Sequence, residues 1–262
     1  MSAARIGLEG LEEDLARHRV LVGSSNEVVA RELALFEALL CGPQAHVRIR
    51  DRLGRAWKTR SFRAYYERPL LLAAALRLEA MTTPDHPLAA ALAREPPDPA
   101  VLDLRRLVRA LDPNHLPIWL TLATRKVQTN DVSRAVAWRW PAALANRSSV
   151  PSGRDERPLV LVDIGCSAGL NLVADALPFV WTDSSGRALP KYTGEVVARI
   201  GFDADPVDPS RPAEVAWLRA CLWPGDVVRR ERLDAAISAF ASAVARGEAP
   251  VIERVRARNV IP

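Results

Sequence analysis

The chain has 262 residues, 49% of them hydrophobic and 26% charged, ordinary proportions for a globular protein with room for one large or two small domains. No run reaches 18 apolar residues and the N-terminus lacks the apolar core of a signal peptide, so neither a membrane span nor a leader is expected, and a cytoplasmic location is. The net charge of +5 rests almost wholly on arginine, since only Lys58, Lys126 and Lys191 are lysines. Abundant Ala, Arg and Pro read as the imprint of a GC-rich genome. Arginines cluster late (Arg229, Arg230, Arg232, Arg246, Arg254, Arg256, Arg258) but without interleaved aromatics, which argues against a nucleic-acid surface. Cys41, Cys166 and Cys221 stand far apart without a C-x-x-C, and the four histidines are scattered, so neither a metal site nor a disulfide framework is expected.

The first 150 residues read as mostly helical, and residues 1–150 and 151–262 are expected to form separate regions. Ser24-Ser25-Asn26-Glu27 fits a capping box with Ser24 as N-cap, and Val29, Leu33, Phe36 and Leu40 follow at helical spacing. Arg68-Pro69 opens a helix through about Met81. Residues 86–94, 99–111 and 130–146 also read as helical, broken by proline-containing segments such as Glu95-Pro96-Pro97-Asp98-Pro99. After a polar linker at 148–157 the pattern changes to alternating strand and helix. Residues 158–164 read as a central parallel strand, because the run is apolar and nearly uncharged, and a helix over 169–177 follows it. Phe179-Val180-Trp181 and the Asp183-Ser184-Ser185-Gly186 turn read as an inserted hairpin. Residues 195–202 and 250–256 read as further strands, and helices are expected over 210–222 and 229–246.

The chemistry concentrates at Asp163-Ile164-Gly165-Cys166-Ser167-Ala168-Gly169, a tight glycine turn between strand and helix. Three readings are open. One is a site for a nucleotide-type cofactor: Gly165 and Gly169 allow close backbone approach, and free N–H groups at the start of the helix face the ligand. The second is a nucleophile elbow, since the segment matches G-x-S-x-G. Every histidine precedes Ser167, however, the reverse of the order an α/β-hydrolase uses. The third is packing alone. Cys166 near a helix start is either a stabilised thiolate or a small filler. Asp203, after the second strand, reads as a ribose-binding acid or a turn acid. Gln128, Asn130 and their polar neighbours at 127–134 either cap a helix or reach the glycine turn. Trp138 and Trp140 read as core.

VQTND (127–131), GCSAGLN (165–171) and GFDADPVD (201–208) resemble corresponding segments of a bacterial family known as domain of unknown function 2332. WLRACLWP (217–224) and RPLLLAAALRLEAMTTPDHPLA (68–89) are similar to it as well, and the resemblance spans roughly residues 60 to 250. It implies an α/β protein in which a helical N-terminal region precedes a Rossmann-like, class I methyltransferase-like parallel sheet. It implies no established activity. Cys166 stands where the family usually has Ala. Family members continue past residue 262, so the sheet is expected to be C-terminally truncated. On this reading S-adenosylmethionine is held by Asp163, Gly165, Ser167, Gly169 and Asn171 at the turn, by Asp203, and by Gln128 and Asn130. No catalytic base stands out. The alternative is a non-catalytic binding module of the same fold, self-associating through an open sheet edge.

Overall fold

The computed structural model describes residues 4–43, 45–129, 131–149 and 158–255. The chain forms two compact units, each discontinuous in sequence: residues 1–128 with 216–226, and residues 129–215 with 227–262.

The first unit is helical. After β1 (Arg5–Ile6) come α1 (Leu11–Val22), α2 (Glu27–Leu40) and α3 (Val47–Trp57), then β2 (Ser61–Phe62), which pairs antiparallel with β1. Then follow α4 (Glu67–Thr82), α5 (Ala89–Leu92), α6 (Leu104–Ala110) and α7 (Leu116–Thr124). Leu71 to Leu76 of α4 are all buried. A helix apolar all round belongs inside, and the three alanines within this run let neighbouring helices approach closely. Leu33, Phe36, Ile49, Trp57, Ile118 and Leu122 pack into the same core.

Three expectations shift here. The N-cap of α2 is Asn26 rather than Ser24, and its side chain accepts the Val29 N–H at 3.0 Å. Ser24 lies two residues too early to serve. The helix expected over 99–111 is instead a 3-10 turn (Pro99–Val101) followed by α6, because Asp103 accepts the Arg106 N–H at 2.8 Å and starts a fresh helix. The helix expected over 86–94 shrinks to α5.

A buried ion pair ties the unit's N-terminal turn to α4. Arg68 is fully buried, with Nε and Nη2 on Asp14 Oδ2 at 2.8 and 2.5 Å. Its Nη1 donates to the carbonyls of Gly7 and Glu9 at 3.1 and 2.6 Å. Arg5 takes the other Asp14 oxygen at 2.7 Å.

The second unit holds α8 (Val136–Ser149), β3 (Leu159–Ile164), β4 (Val196–Asp203), α10 (Val227–Ala245) and β5 (Val251–Arg254). Between β4 and α10 runs α9 (Pro212–Ala220), whose Trp217 and Ala220 belong to the core of the first unit. The three strands of the second unit are parallel in the order β3-β4-β5, with Val162 opposite Ile200 and Ile200 opposite Val251. The protein is therefore α/β, with many helices and a three-stranded parallel sheet.

The sheet differs from expectation in one respect that matters. Among the described residues, 159–164 form an edge strand and β4 is the centre. The uncharged run Leu159 to Val162 was the reason to expect burial on both faces, yet the strand is buried on only one. Leu161 faces inward, while Val160, Val162 and Ile164 are 57, 56 and 44% exposed. The helix expected over 169–177 is a 3-10 segment, Leu170–Ala176, interrupted at Val173 (φ −106°, ψ 15°). The expected hairpin reduces to one antiparallel bridge, Thr182 to Ala188, closed around Asp183 Oδ1. The strand expected over 250–256 ends at Arg254, and its residue 256 lies outside the described residues.

Candidate functional site

The carboxyl end of β3 runs into a turn folded tightly over the sheet. It can lie this close because β4 carries Gly201 at the point of contact. A Cβ there would sit 2.7 Å from Cys166 Sγ and 3.2 Å from Cys166 Cβ. Gly165 has φ +83°, a conformation that side chains resist, and the space its Cβ would enter holds no protein atom within 4 Å. Ser167 (φ 54°) and Gly169 (φ 68°) complete the reversal.

The amides of the turn are largely engaged within the protein. Gly165 and Cys166 donate to the Phe202 carbonyl at 2.7 and 3.2 Å, and Gly169 donates to the Cys166 carbonyl at 2.8 Å. The Ser167 N–H goes to Asp203 Oδ2 at 2.8 Å, while Asp203 Oδ1 accepts from the Asp205 N–H at 2.7 Å. Asp203 thus clamps the turn.

Beside the turn lies a cavity of about 350 Å³, within the size range of small-molecule sites. Its polar lining comes from Thr129, Arg134, Asp163, Ser167 and Asn171, and its apolar wall includes Trp138 and Leu161. The wall is braced. The Trp138 indole N–H donates to the Asn171 carbonyl at 3.1 Å. Arg199 grips Asp175 with two 2.7 Å bonds and also donates to the Leu172 carbonyl, holding the 3-10 segment on β4. Asn171 Oδ1 is buried and has no hydrogen-bond partner among the described residues, an acceptor that a bound group would satisfy.

Burial holds the Asp163 carboxyl above the ordinary carboxylate range, with Asp203 adding to the effect and Arg134 opposing it. Burial, reinforced by Asp163 and Asp203, pushes the Cys166 thiol up to about 12. The stabilised-thiolate alternative for Cys166 therefore gives way to the filler role.

The structure brings Asp163, Gly165, Ser167 and Asn171 together on the cavity. Gly169 shapes the turn beside it, and Asp203 acts from behind the turn without lining the cavity. Gln128 lies in the first unit, where it makes a main-chain hydrogen bond to the Cys221 thiol. Asn130 lies outside the described residues. Thr129, between the two, lines the cavity. Thr129 and Arg134 belong to the polar cluster 127–134 that the sequence offers either as a helix cap or as a segment reaching the glycine turn, and both line the cavity, whereas Trp138, expected in the core, lines it as well. The spacing of Ser133, Arg134 and Trp138 just before β3 was the available hint, but the 3-10 turn at Val132–Ala135 that aims them has no strong sequence signature. Among the described residues no group of three His, Cys, Asp or Glu side chains is arranged to hold a metal ion, and no helix is long and apolar enough to cross a membrane.

A bacterial family described as an uncharacterized protein conserved in bacteria (DUF2332) matches residues 23–261, and the chain belongs to it. No curated protein and no solved structure matches the chain.

Proposed function

We propose that this chain is a methyltransferase-like protein that binds S-adenosylmethionine at the glycine turn after β3. The observation that carries the reading is the cavity at the carboxyl end of β3, where open α/β sheets bind their ligands. It has room at Gly165 and an unsatisfied buried acceptor at Asn171. The parallel order β3-β4-β5 matches strands one, two and three of a Rossmann half-sheet. The donor set fits the amino-acid end of the cofactor: Asp163 and Asn171 Oδ1 accept from the ammonium, and the apolar wall excludes water from one side. When bound, the cofactor supplies an electrophilic methyl group. The chain's own residues bind and orient it, and no residue of the cavity stands out as a base toward an acceptor. Asp203 supports the site through the turn it clamps.

Calorimetric titration tests this reading. The protein is expected to bind S-adenosylhomocysteine weakly, because the cavity is small. Gly165→Val is expected to abolish binding, since the new side chain fills the open space and strains a positive φ by roughly 1–2 kcal/mol. Binding unchanged by Gly165→Val would overturn the assignment of the turn. The pH dependence has a definite sign. Asp163 must be ionised to hold an ammonium, and burial raises its pKa, so affinity is expected to fall as the pH is lowered, and to do so at a higher pH than an ordinary aspartate would give.

A second reading is favoured by the edge position of β3. Among the described residues the strand is paired on one side only, and Val160, Val162 and Ile164 stand exposed along it. Such an edge is a template for pairing with another strand. On this reading the protein is an interaction module in which a second copy covers β3. Light scattering on the purified protein is then expected to give a dimer or larger, and Val162→Lys to give a monomer. A monomer from the unaltered protein contradicts it.

A further inference from the structure

The cavity carries a charge pattern that the cofactor reading does not by itself explain. Two opposite charges, Asp163 and Arg134, line the same cavity. They form no ion pair with each other, and neither side chain makes a hydrogen bond or ion pair to any other described residue. Among the described residues Arg134 is the one cationic residue on the cavity lining, and it belongs to the 3-10 turn Val132–Ala135. Arg134 is exposed and Asp163 half-buried, and they act on each other only through space; a ligand that bridges them engages both charges directly.

The turn amides sharpen the point. In glycine-turn sites an anionic ligand group is commonly met by free backbone N–H groups. Here the amides of Gly165, Cys166, Ser167 and Gly169 are already engaged, with the Phe202 carbonyl, the Asp203 carboxylate and the Cys166 carbonyl. An anionic group entering the cavity therefore finds its counter-charge in a side chain, and Arg134 is the residue that supplies it.

We propose that Arg134 is the carboxylate anchor of this cavity and that, together with Asp163, it selects ligands carrying an α-amino-carboxylate end. Asp163 receives the ammonium and Arg134 the carboxylate, with Asn171 Oδ1 as a second acceptor for the ammonium. A guanidinium presents paired N–H groups that match a carboxylate. The specificity follows: a nucleoside without the amino-acid end forfeits both charged contacts. This proposal rests on the glycine-turn cavity being a ligand site and names the part of the ligand that it recognises.

The test is calorimetric titration of unaltered protein, Arg134→Ala and Arg134→Lys with three probes. These are S-adenosylhomocysteine, 5′-methylthioadenosine, which keeps the nucleoside and lacks the amino-carboxylate end, and free methionine. Arg134 is exposed, so its replacement leaves the fold intact, and matching thermal melts check this. Arg134→Ala is expected to weaken S-adenosylhomocysteine about tenfold or more, to leave 5′-methylthioadenosine unchanged, and to be partly rescued in Arg134→Lys. Equal affinity of Arg134→Ala and unaltered protein for S-adenosylhomocysteine, or an equal loss for 5′-methylthioadenosine, overturns the proposal. If neither nucleoside binds any variant, the cofactor reading has failed on its own. The anchor then stands if methionine or another common amino acid binds in an Arg134-dependent way, and falls if none does.

Discussion

Replacing Arg68 with Ala is expected to lower unfolding stability by about 3–5 kcal/mol, the range for breaking a buried ion pair from one side. Arg68 is fully buried and Asp14 nearly so. The substitution leaves Asp14 with Arg5 as its remaining cation and removes the donor from the Gly7 and Glu9 carbonyls. Arg68→Lys is expected to recover only part of the loss, because one ammonium cannot reach the carboxylate and both carbonyls with the geometry of the planar fork. Urea denaturation measures the effect as a shift in midpoint at unchanged slope. A loss below about 1 kcal/mol would mean that the network contributes no more than an exposed pair.

Asp203→Ala is expected to be the most damaging change near the candidate site. It removes the acceptor from two backbone amides, Ser167 and Asp205, at 2.8 and 2.7 Å. Hydrogen bonds to a charged group contribute about 1.5–3 kcal/mol each. Water reaches this half-buried region and offsets part of the loss, so a net effect of roughly 2–3 kcal/mol is expected. Asp203→Asn should lose less, since its carbonyl oxygen keeps one amide while its NH2 faces the other. Amide hydrogen exchange gives the local readout. Protection at Ser167 and Asp205 is expected to fall in both variants, and ligand affinity to fall with it although Asp203 does not line the cavity. Unchanged protection at Ser167 would show that the turn holds its shape without the clamp.

The parts of this molecule legible in the sequence are those that local chemistry dictates. The strand and the glycine turn after it were readable because the apolar run Leu159 to Val162 is followed by Asp163 and by two glycines, Gly165 and Gly169, both of which have positive φ. Asp203 was legible as a special acid, but its partners were not. That its oxygens meet the Ser167 and Asp205 amides depends on β4 lying beside β3, a long-range fact. The edge position of β3 was hidden for a related reason. A run such as Leu-Val-Leu-Val suits a central strand buried on both faces equally well; its edge position lies in the pairing order and its open face in the packing, both long-range facts. The 3-10 form of Leu170–Ala176 was missed because Leu-Asn-Leu-Val-Ala-Asp-Ala has good helical propensity. The Arg199–Asp175 grip and the bend at Val173 are tertiary. Arg134 was legible only as one member of the polar cluster 127–134, since its position on the cavity depends on the short 3-10 turn beneath it.

The most direct measurement is a two-dimensional amide spectrum of labelled protein titrated with S-adenosylhomocysteine. Shifts are expected at Gly165, Ser167, Asn171 and the Trp138 indole, with the first unit's core residues such as Leu33 and Leu76 unmoved. Shifts confined to the first unit, or none at saturating ligand, would contradict a cofactor site at the turn after β3.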